Sequence, residues 1–151
     1  MAEPPTNVTP FRPRKPPAVE RKPGFDLQRP QHKVVLVYAL GAIAFAFYYL
    51  TAMPIEFVGL GFGVACVAIA ASNRDDGMPW ARTHHEFALR TMLIGAAVWM
   101  IAGLLTWIPL LGAVASLAQI GTLVWVGVRF AVGLLRAAQR KPVPNPLTFL
   151  V

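Results

Sequence analysis

His84, His85 and Glu86 are consecutive, and they are residue types that often bind metals or transfer protons in active sites. Two histidines on one helix reach the same metal when they are four residues apart, whereas adjacent helical side chains point about 100° apart. A third ligand would have to come from elsewhere in the chain: Asp75, Asp76 or His32. We therefore expect no metal or haem cofactor, and we assign helix-capping and interfacial roles to these three residues.

The rest of the sequence contains no arrangement typical of an enzyme. Ser72 and Ser116 are not part of an activated-nucleophile pattern, and no paired carboxylates lie within the apolar segments. The glycines at 59–63 lack the strand–loop–helix context of a phosphate-binding loop. Gln119 is the one polar side chain that suits a solute pathway, and its alternative role is an interhelical hydrogen bond worth about 1 kcal/mol. We expect a non-enzymatic protein.

Four long apolar segments must position these residues. Of the 151 residues, 56% are apolar and 14% are charged, a balance typical of a membrane protein rather than a soluble one. A hydrocarbon core about 30 Å thick is spanned by about 20 helical residues. The segments that approach this length are Val34–Met53, Ile55–Ala71, Thr91–Ile108 and Leu110–Val128. The predicted fold is all-α, an integral membrane four-helix bundle.

Turn-forming residues separate these segments. Pro54 marks the first reversal, the polar run 72–79 marks the second, and Pro109 with Gly112 marks the third. Each reversal is short, so helices that follow one another in the sequence are expected to be antiparallel neighbours.

The third helix has two possible starting points in the sequence. Pro79 suits the first helical position, where its missing N–H has no partner to lose. Thr83 would instead open a capping box with Glu86, three residues later. Both alternatives place a short interfacial stretch before the third apolar segment.

Three regions are predicted along the chain. Residues 1–33 form a disordered, basic, proline-rich cytoplasmic tail, residues 34–141 the four-helix transmembrane domain, and residues 142–151 a C-terminal tail. Residues 13–16 match PxxP, a ligand of aromatic grooves, but we favour a basic arm that lies near anionic lipid. The apolar end of the C-terminal tail either docks onto the bundle or is presented to a partner.

The distribution of positive charge predicts the topology. The net charge is +7, and the first and third reversals carry no Lys or Arg. By the positive-inside rule, we expect a multi-pass protein of the bacterial inner membrane with both termini in the cytoplasm. Basic loops of this kind face anionic lipid, so we expect no nucleic-acid partner. The residues expected at the level of the lipid headgroups are Arg82, Arg90, Arg136, Arg140 and Lys141.

Charged residues also recur along helix faces. Arg82, Glu86 and Arg90 are four residues apart and share one face of the third helix. Arg129 lies at a similar depth on the fourth helix, where its long side chain is expected to extend to the headgroups. The alternative is an interhelical ion pair between Glu86 and Arg129.

Small residues predict where helices approach one another closely. Gly59 and Gly63 form a GxxxG pattern, which is used both for packing within a chain and for dimerisation. Gly95 and Gly103 share a helical face with Trp99, so a large ring is expected to pack beside them. The full set of expected packing glycines is Gly59, Gly63, Gly95, Gly103 and Gly121.

Several short motifs in the second half of the chain form one pattern: Thr83-His84 through Arg90-Thr91, Gly95, Ile108-Pro109 with Gly112, Trp125 with Arg129, and Pro144-Asn145-Pro146. Over about residues 78–151 the chain resembles a family of small uncharacterised bacterial inner-membrane proteins that is distantly grouped with the chloroplast inner-envelope import-channel proteins. The resemblance implies a helical membrane domain, and it implies no particular biochemical activity. The proline-rich N-terminal tail departs from this pattern.

Two functional hypotheses follow. The first is an accessory or scaffold subunit of a larger inner-membrane assembly, because small-residue faces suit contacts between helices. The alternative is a small oligomeric transporter or channel, which would require Gln119 on its pathway. The expected partners are the lipid bilayer with its anionic headgroups and either another membrane protein or further copies of the chain.

Overall fold

Four helices make up the regular structure of the computed structural model, which describes residues 26–50, 56–75 and 78–149. The helices are α1 Pro30–Leu50, α2 Glu56–Ser72, α3 Pro79–Leu105 and α4 Gly112–Ala138. No strand occurs within these described ranges, so the predicted all-α class with four helices is confirmed. The prediction for the N-terminal tail falls largely on residues 1–25, which lie outside the described residues.

Three of the helices, α1, α3 and α4, are long and apolar enough to cross a membrane by their length and composition. The remaining helix, α2, is apolar but has only 17 residues. At about 1.5 Å per residue it is close to the minimum for a hydrocarbon core. The fold is therefore consistent with a multi-pass membrane protein.

α3 begins at Pro79, the first of the two predicted starting points. Met78 occupies the N-cap position with an extended backbone, and its side chain makes no capping hydrogen bond. Thr83 lies inside the helix and donates its hydroxyl to the Trp80 carbonyl at 2.7 Å. The predicted capping box of Thr83 and Glu86 is therefore wrong, because the threonine hydroxyl is used within the helix.

α4 ends at Ala138 in a backbone motif that reverses the chain. The Arg140 N–H donates to the Ala137 carbonyl and the Lys141 N–H donates to the Arg136 carbonyl, both at 3.0 Å. These two bonds define a Schellman motif. Arg140 has φ 54°, in the left-handed region where glycine is the usual residue. The motif directs the following residues back towards α3.

α1 and α3 lie across the centre of the bundle, since each contacts all three other helices. α2 and α4 flank this central pair, and their described residues do not contact each other. The consecutive pairs α1–α2 and α3–α4 are antiparallel, as the short reversals predict.

Large rings of α1 and α4 fill glycine positions on the opposite helix. Gly133 of α4 faces the Tyr38 ring and Gly41 of α1 faces the Phe130 ring so closely that an added Cβ would overlap either ring. Tyr38 and Phe130 themselves meet edge to face, with their centroids 5.5 Å apart. These reciprocal contacts fix the register of α1 against α4.

Polar contacts join the helices at one end of the bundle, which we call the charged end: α1 and α3 begin there, and α2 and α4 end there. Lys33 Nζ donates to Asn73 Oδ1 at 2.6 Å, linking α1 to the residue after α2. Arg140 Nε donates to Gln31 Oε1 at 3.0 Å, linking the end of α4 to the start of α1. Most buried side chains lie in the half of the bundle nearest this end.

Candidate functional site

Arg129 is the largest fully buried side chain among the described residues, with 1% of its surface exposed. Its Nε donates to Thr91 Oγ1 at 2.9 Å, and its Nη1 donates to the Thr148 carbonyl at 2.7 Å. The guanidinium carbon lies 4.0 Å from the centroid of the Phe87 ring and 5.0 Å from that of Trp125. Both rings therefore present their negative faces to the cation. α3, α4 and the residues after α4 all contribute to this one site.

The Thr91 hydroxyl is positioned to receive the Arg129 hydrogen bond. Thr91 is fully buried on α3, and it donates its own proton to the Phe87 carbonyl at 2.7 Å. A hydroxyl has one proton and two acceptor positions, so the oxygen remains able to accept from the guanidinium. The single hydroxyl thus satisfies a helix carbonyl and a buried cation together.

Two predictions about Arg129 are wrong. Protein groups bury the side chain, so it does not extend to the headgroups. Glu86 pairs with Arg90 at 2.7 Å and with Arg74 at 3.4 Å rather than with Arg129. The reason is helical geometry: Phe87, the next residue, faces Arg129, and Glu86 therefore points about 100° away from it.

The segment 142–149, which we call the C-terminal segment, is bound to the bundle through its backbone. The apolar side chains of Leu147 and Phe149 are exposed, so both sequence-based alternatives for this apolar end stay predictions. The Val143 N–H donates to Thr83 Oγ1 at 3.1 Å, and the Val143 side chain is buried. Trp125 Nε1 donates to the Phe149 carbonyl at 2.8 Å. Side chains of α3 and α4 therefore bind the backbone of this segment at both of its ends.

A second polar pair is buried beside the Arg129 site. His84 Nε2 lies 2.9 Å from the Lys141 carbonyl, and a carbonyl only accepts, so Nε2 carries the proton. In the neutral ring Nδ1 is then the acceptor, and the Tyr38 hydroxyl donates to it at 2.9 Å. His85 is also buried. No group of three or more His, Cys, Asp or Glu within the described ranges is placed to hold a metal ion.

A cavity of about 260 Å³, which we call the C-terminal cavity, lies between α3, the last turns of α4 and the C-terminal segment. Phe87 and Val132 form part of its apolar wall, and Val143 closes it from the C-terminal segment. Arg136 and Asn145 supply its polar groups. This cavity adjoins the Arg129 site, because Phe87 belongs to both.

A larger apolar groove of about 580 Å³, which we call the α2–α3 groove, opens between these two helices. Gly59 and Gly63 line it from α2, and Gly95 and Ala96 line it from α3. Its floor is formed by Ala44 of α1. Gly59 and Gly95 are buried, so the exposed small residues on the two walls are Ala68 and Ala96.

The structure separates the predicted packing glycines into two groups. A Cβ added at Gly95 would lie 2.9 Å from Val126 Cγ2, so this glycine allows close contact of α3 with α4. Gly63 lies against Met92, and Gly59 is buried in the same groove. No described atom lies within 4 Å of a Cβ added at Gly121, so its predicted role in packing within the chain is wrong.

Gln119 and Gly103 face each other across the α3–α4 pair. An added Cβ on Gly103 would lie 3.8 Å from Gln119 Nε2. The half-buried amide therefore lies between two helices of the same chain. Its interhelical hydrogen bond and its role on a solute pathway both stay predictions.

The basic residues predicted at headgroup level occupy the half of the bundle nearest the charged end: Arg82, Arg90, Arg136, Arg140 and Lys141. Arg82 is exposed on α3. Arg90 and Arg140 are engaged by Glu86 and Gln31 respectively. Lipid contact by these residues stays a prediction.

Sequence reasoning missed the hydrogen bond between Arg129 and Thr91 and the backbone contacts of the C-terminal segment. Thr91 is four residues after Phe87, so helical spacing alone places both on one face. The approach of Arg129 to that face depends on how α4 is rotated about its axis, for which the uniformly apolar sequence carries little signal.

Comparisons with protein-family models, with curated proteins and with solved structures find no match to this chain.

Proposed function

We propose that the chain is a non-enzymatic accessory or scaffold subunit of an assembly in the bacterial inner membrane. It crosses the bilayer four times, with both termini in the cytoplasm. It binds a transmembrane helix of a partner membrane protein in the α2–α3 groove. The resemblance to small inner-membrane proteins stays a prediction, and it identifies no partner.

The charge distribution supports the proposed topology. The charged end gathers the starts of α1 and α3 and the ends of α2 and α4, together with Arg82 and Arg140. The reversals at the opposite end carry no Lys or Arg. Placing the charged end in the cytoplasm follows the positive-inside rule for all four helices at once.

The α2–α3 groove is the observation that carries the proposed role. It lies within the apolar parts of the helices, so its occupant in a membrane must itself be apolar. Ala68 of α2 and Ala96 of α3 line opposite walls and are exposed, and their small side chains allow another helix to approach closely. A lipid chain fills apolar space without needing such small side chains, so we assign the groove to a helix.

The test is a matched pair of alanine substitutions in the full tagged chain, expressed in its native membrane. Ala96→Leu adds a large side chain at an exposed position of the groove, whereas Ala118→Leu adds the same side chain to an exposed position of α4. We expect one membrane protein to co-purify with the parent chain and with Ala118→Leu, and to be lost several-fold from Ala96→Leu. Quantitative mass spectrometry of the purified complexes measures this loss.

Equal recovery of the same protein from both variants would contradict a helix in the groove. If the molecule lost from Ala96→Leu is a second copy of this chain, the chain is a homo-oligomer rather than an accessory subunit. The topology has its own test: reporter fusions at Glu56 and at Leu110 should both lie on the side of the membrane opposite Met1.

A further inference from the structure

The C-terminal cavity combines an apolar wall with one cationic group. Phe87, Val132 and Val143 supply apolar surface, and Arg136 projects from the last turn of α4 into the same space. Sites for ligands with a charged head and an apolar body have this composition.

Arg136 is the positively charged residue of this cavity, and its hydrogen-bond donors are not used by other described residues. Its side chain is half-buried, and its guanidinium makes no hydrogen bond or ion pair with any residue of the described ranges. By contrast, Arg140 donates to Gln31, and Arg90 is paired with Glu86. A guanidinium has five donors in a planar fork that matches the oxygens of a carboxylate or a phosphate. Arg136 is therefore prepared for an anion from outside the chain.

The location of the cavity favours a phospholipid as the source of that anion. It lies at the charged end, where Arg129 and Lys141 add positive charge and where headgroups lie if the charged end faces an anionic leaflet. Its volume of about 260 Å³ is below the roughly 300–1,000 Å³ of sites for drug-sized ligands, so it holds a headgroup rather than a whole lipid.

The surface beside the cavity accommodates the rest of a lipid. Val132 lines the cavity, and its helical neighbours Val128 and Leu135 are large, exposed and apolar. Acyl chains that leave the cavity along this side of α4 would therefore stay in contact with apolar protein surface. A free phosphate ion would gain nothing from these residues.

We propose that the C-terminal cavity is a specific site for an anionic phospholipid, in which Arg136 donates hydrogen bonds to the phosphate oxygens of the headgroup. Asn145 lines the polar side of the same cavity and Val132 its apolar side. The site rests on the membrane insertion of the proposed function and is independent of the partner in the α2–α3 groove.

The test measures ligand binding to the purified full chain in detergent by isothermal titration. The probes are short-chain phosphatidylglycerol, short-chain phosphatidylcholine and inorganic phosphate. We expect phosphatidylglycerol to bind most tightly and inorganic phosphate to bind weakly or not at all. Arg136→Gln should weaken phosphatidylglycerol binding by about tenfold or more, because charge-assisted hydrogen bonds are lost. Arg82→Gln removes the same charge from an exposed position and should change binding by about twofold at most.

Two results would overturn the site. Equal weakening by Arg136→Gln and Arg82→Gln would show a general effect of positive charge, and inorganic phosphate binding as tightly as phosphatidylglycerol would show a site for a free anion.

Val132→Phe fills the cavity while keeping Arg136, and it should also weaken lipid binding. If Arg136→Gln does not fold, lipid binding by Val132→Phe tests the proposed site instead. Because these measurements need no partner protein, their failure is distinguishable from failure of the Ala96→Leu experiment.

Discussion

Arg129 of α4 donates a hydrogen bond of 2.9 Å to Thr91 of α3, and both side chains are excluded from solvent. A buried cation is tolerated when its donors are satisfied and its charge has suitable neighbours. Here the Thr148 carbonyl accepts a hydrogen bond from the guanidinium, and the Phe87 ring presents its negative face to the positive charge. The pair therefore joins two helices and the C-terminal segment, and its removal should affect all three.

Arg129→Ala should lower the free energy of unfolding by about 2 kcal/mol or more, because the substitution removes charge-assisted hydrogen bonds and leaves a gap beside Phe87. Arg129→Lys should lose part of this energy, since an ammonium lacks the planar fork. The measurement is denaturant or thermal unfolding in detergent, with Arg82→Ala as the exposed control. An effect of Arg129→Ala no larger than that of Arg82→Ala would contradict the role of Arg129.

Arg129→Ala should also release the C-terminal segment from the bundle. Thr148 and Phe149 are bound through their carbonyls by Arg129 and Trp125, so losing one donor leaves the end of the segment with fewer contacts. Limited proteolysis should therefore cut residues 142–149 faster in Arg129→Ala than in the parent chain. Unchanged cleavage would mean that Val143 and its bond to Thr83 are sufficient to hold the segment.

Tyr38→Phe should lower the free energy of unfolding by about 1–3 kcal/mol, because it removes the hydroxyl that donates to buried His84 Nδ1. The ring and its contact with Phe130 are kept, so the loss reports the hydrogen bond. A double-mutant cycle with His84→Ala isolates the pair, and we expect a coupling energy of at least about 0.5 kcal/mol. Additive effects of the two substitutions would reject this hydrogen bond as a source of stability.

Gly133→Ala should lower the free energy of unfolding by about 1–3 kcal/mol, because the added methyl group would overlap the Tyr38 ring. Gly121→Ala is the matched control on the same helix, where the added methyl group meets open space. The control should be neutral or up to about 1 kcal/mol more stable, since alanine favours the helix. Thermal unfolding of the two variants in detergent makes the comparison, and equal behaviour would exclude close packing of α1 on Gly133.

Arg140→Gly and Arg140→Ala should differ by about 1 kcal/mol, with the glycine variant more stable. Both substitutions remove the hydrogen bond to Gln31, but only glycine adopts φ 54° without strain. The difference between them therefore isolates the backbone conformation of the Schellman motif. If the two variants unfold at the same denaturant concentration, the left-handed turn is absent in solution.

The sequence was sufficient to predict the number of helices, because proline, glycine and polar residues separate four apolar segments. It also indicated Pro79 as one of two starting points of α3, and the structure begins the helix there. The prolines from Pro142 onward also predicted where α4 ends. The helix continues past the apolar segment, since Arg129 and Arg136 are good helix formers, and it ends at Ala138, a few residues before Pro142.

The partners of the charged residues could not be predicted to the same extent. Glu86 pairs with Arg90 at the i, i+4 spacing that the sequence contains, so the local pair was available without any structure. The burial of Arg129 depends on the rotation of α4 and on residues 142–149, whose prolines leave no periodic pattern to interpret. Contacts between distant segments and backbone carbonyls have no signature in residue type.

The Thr148 carbonyl that accepts from Arg129 lies 19 residues later in the chain. A chain shortened to end before Thr148 would therefore leave the Arg129 Nη1 donor without this acceptor. Deleting these last few residues is accordingly equivalent to a substitution in the protein interior, although they lie outside every helix.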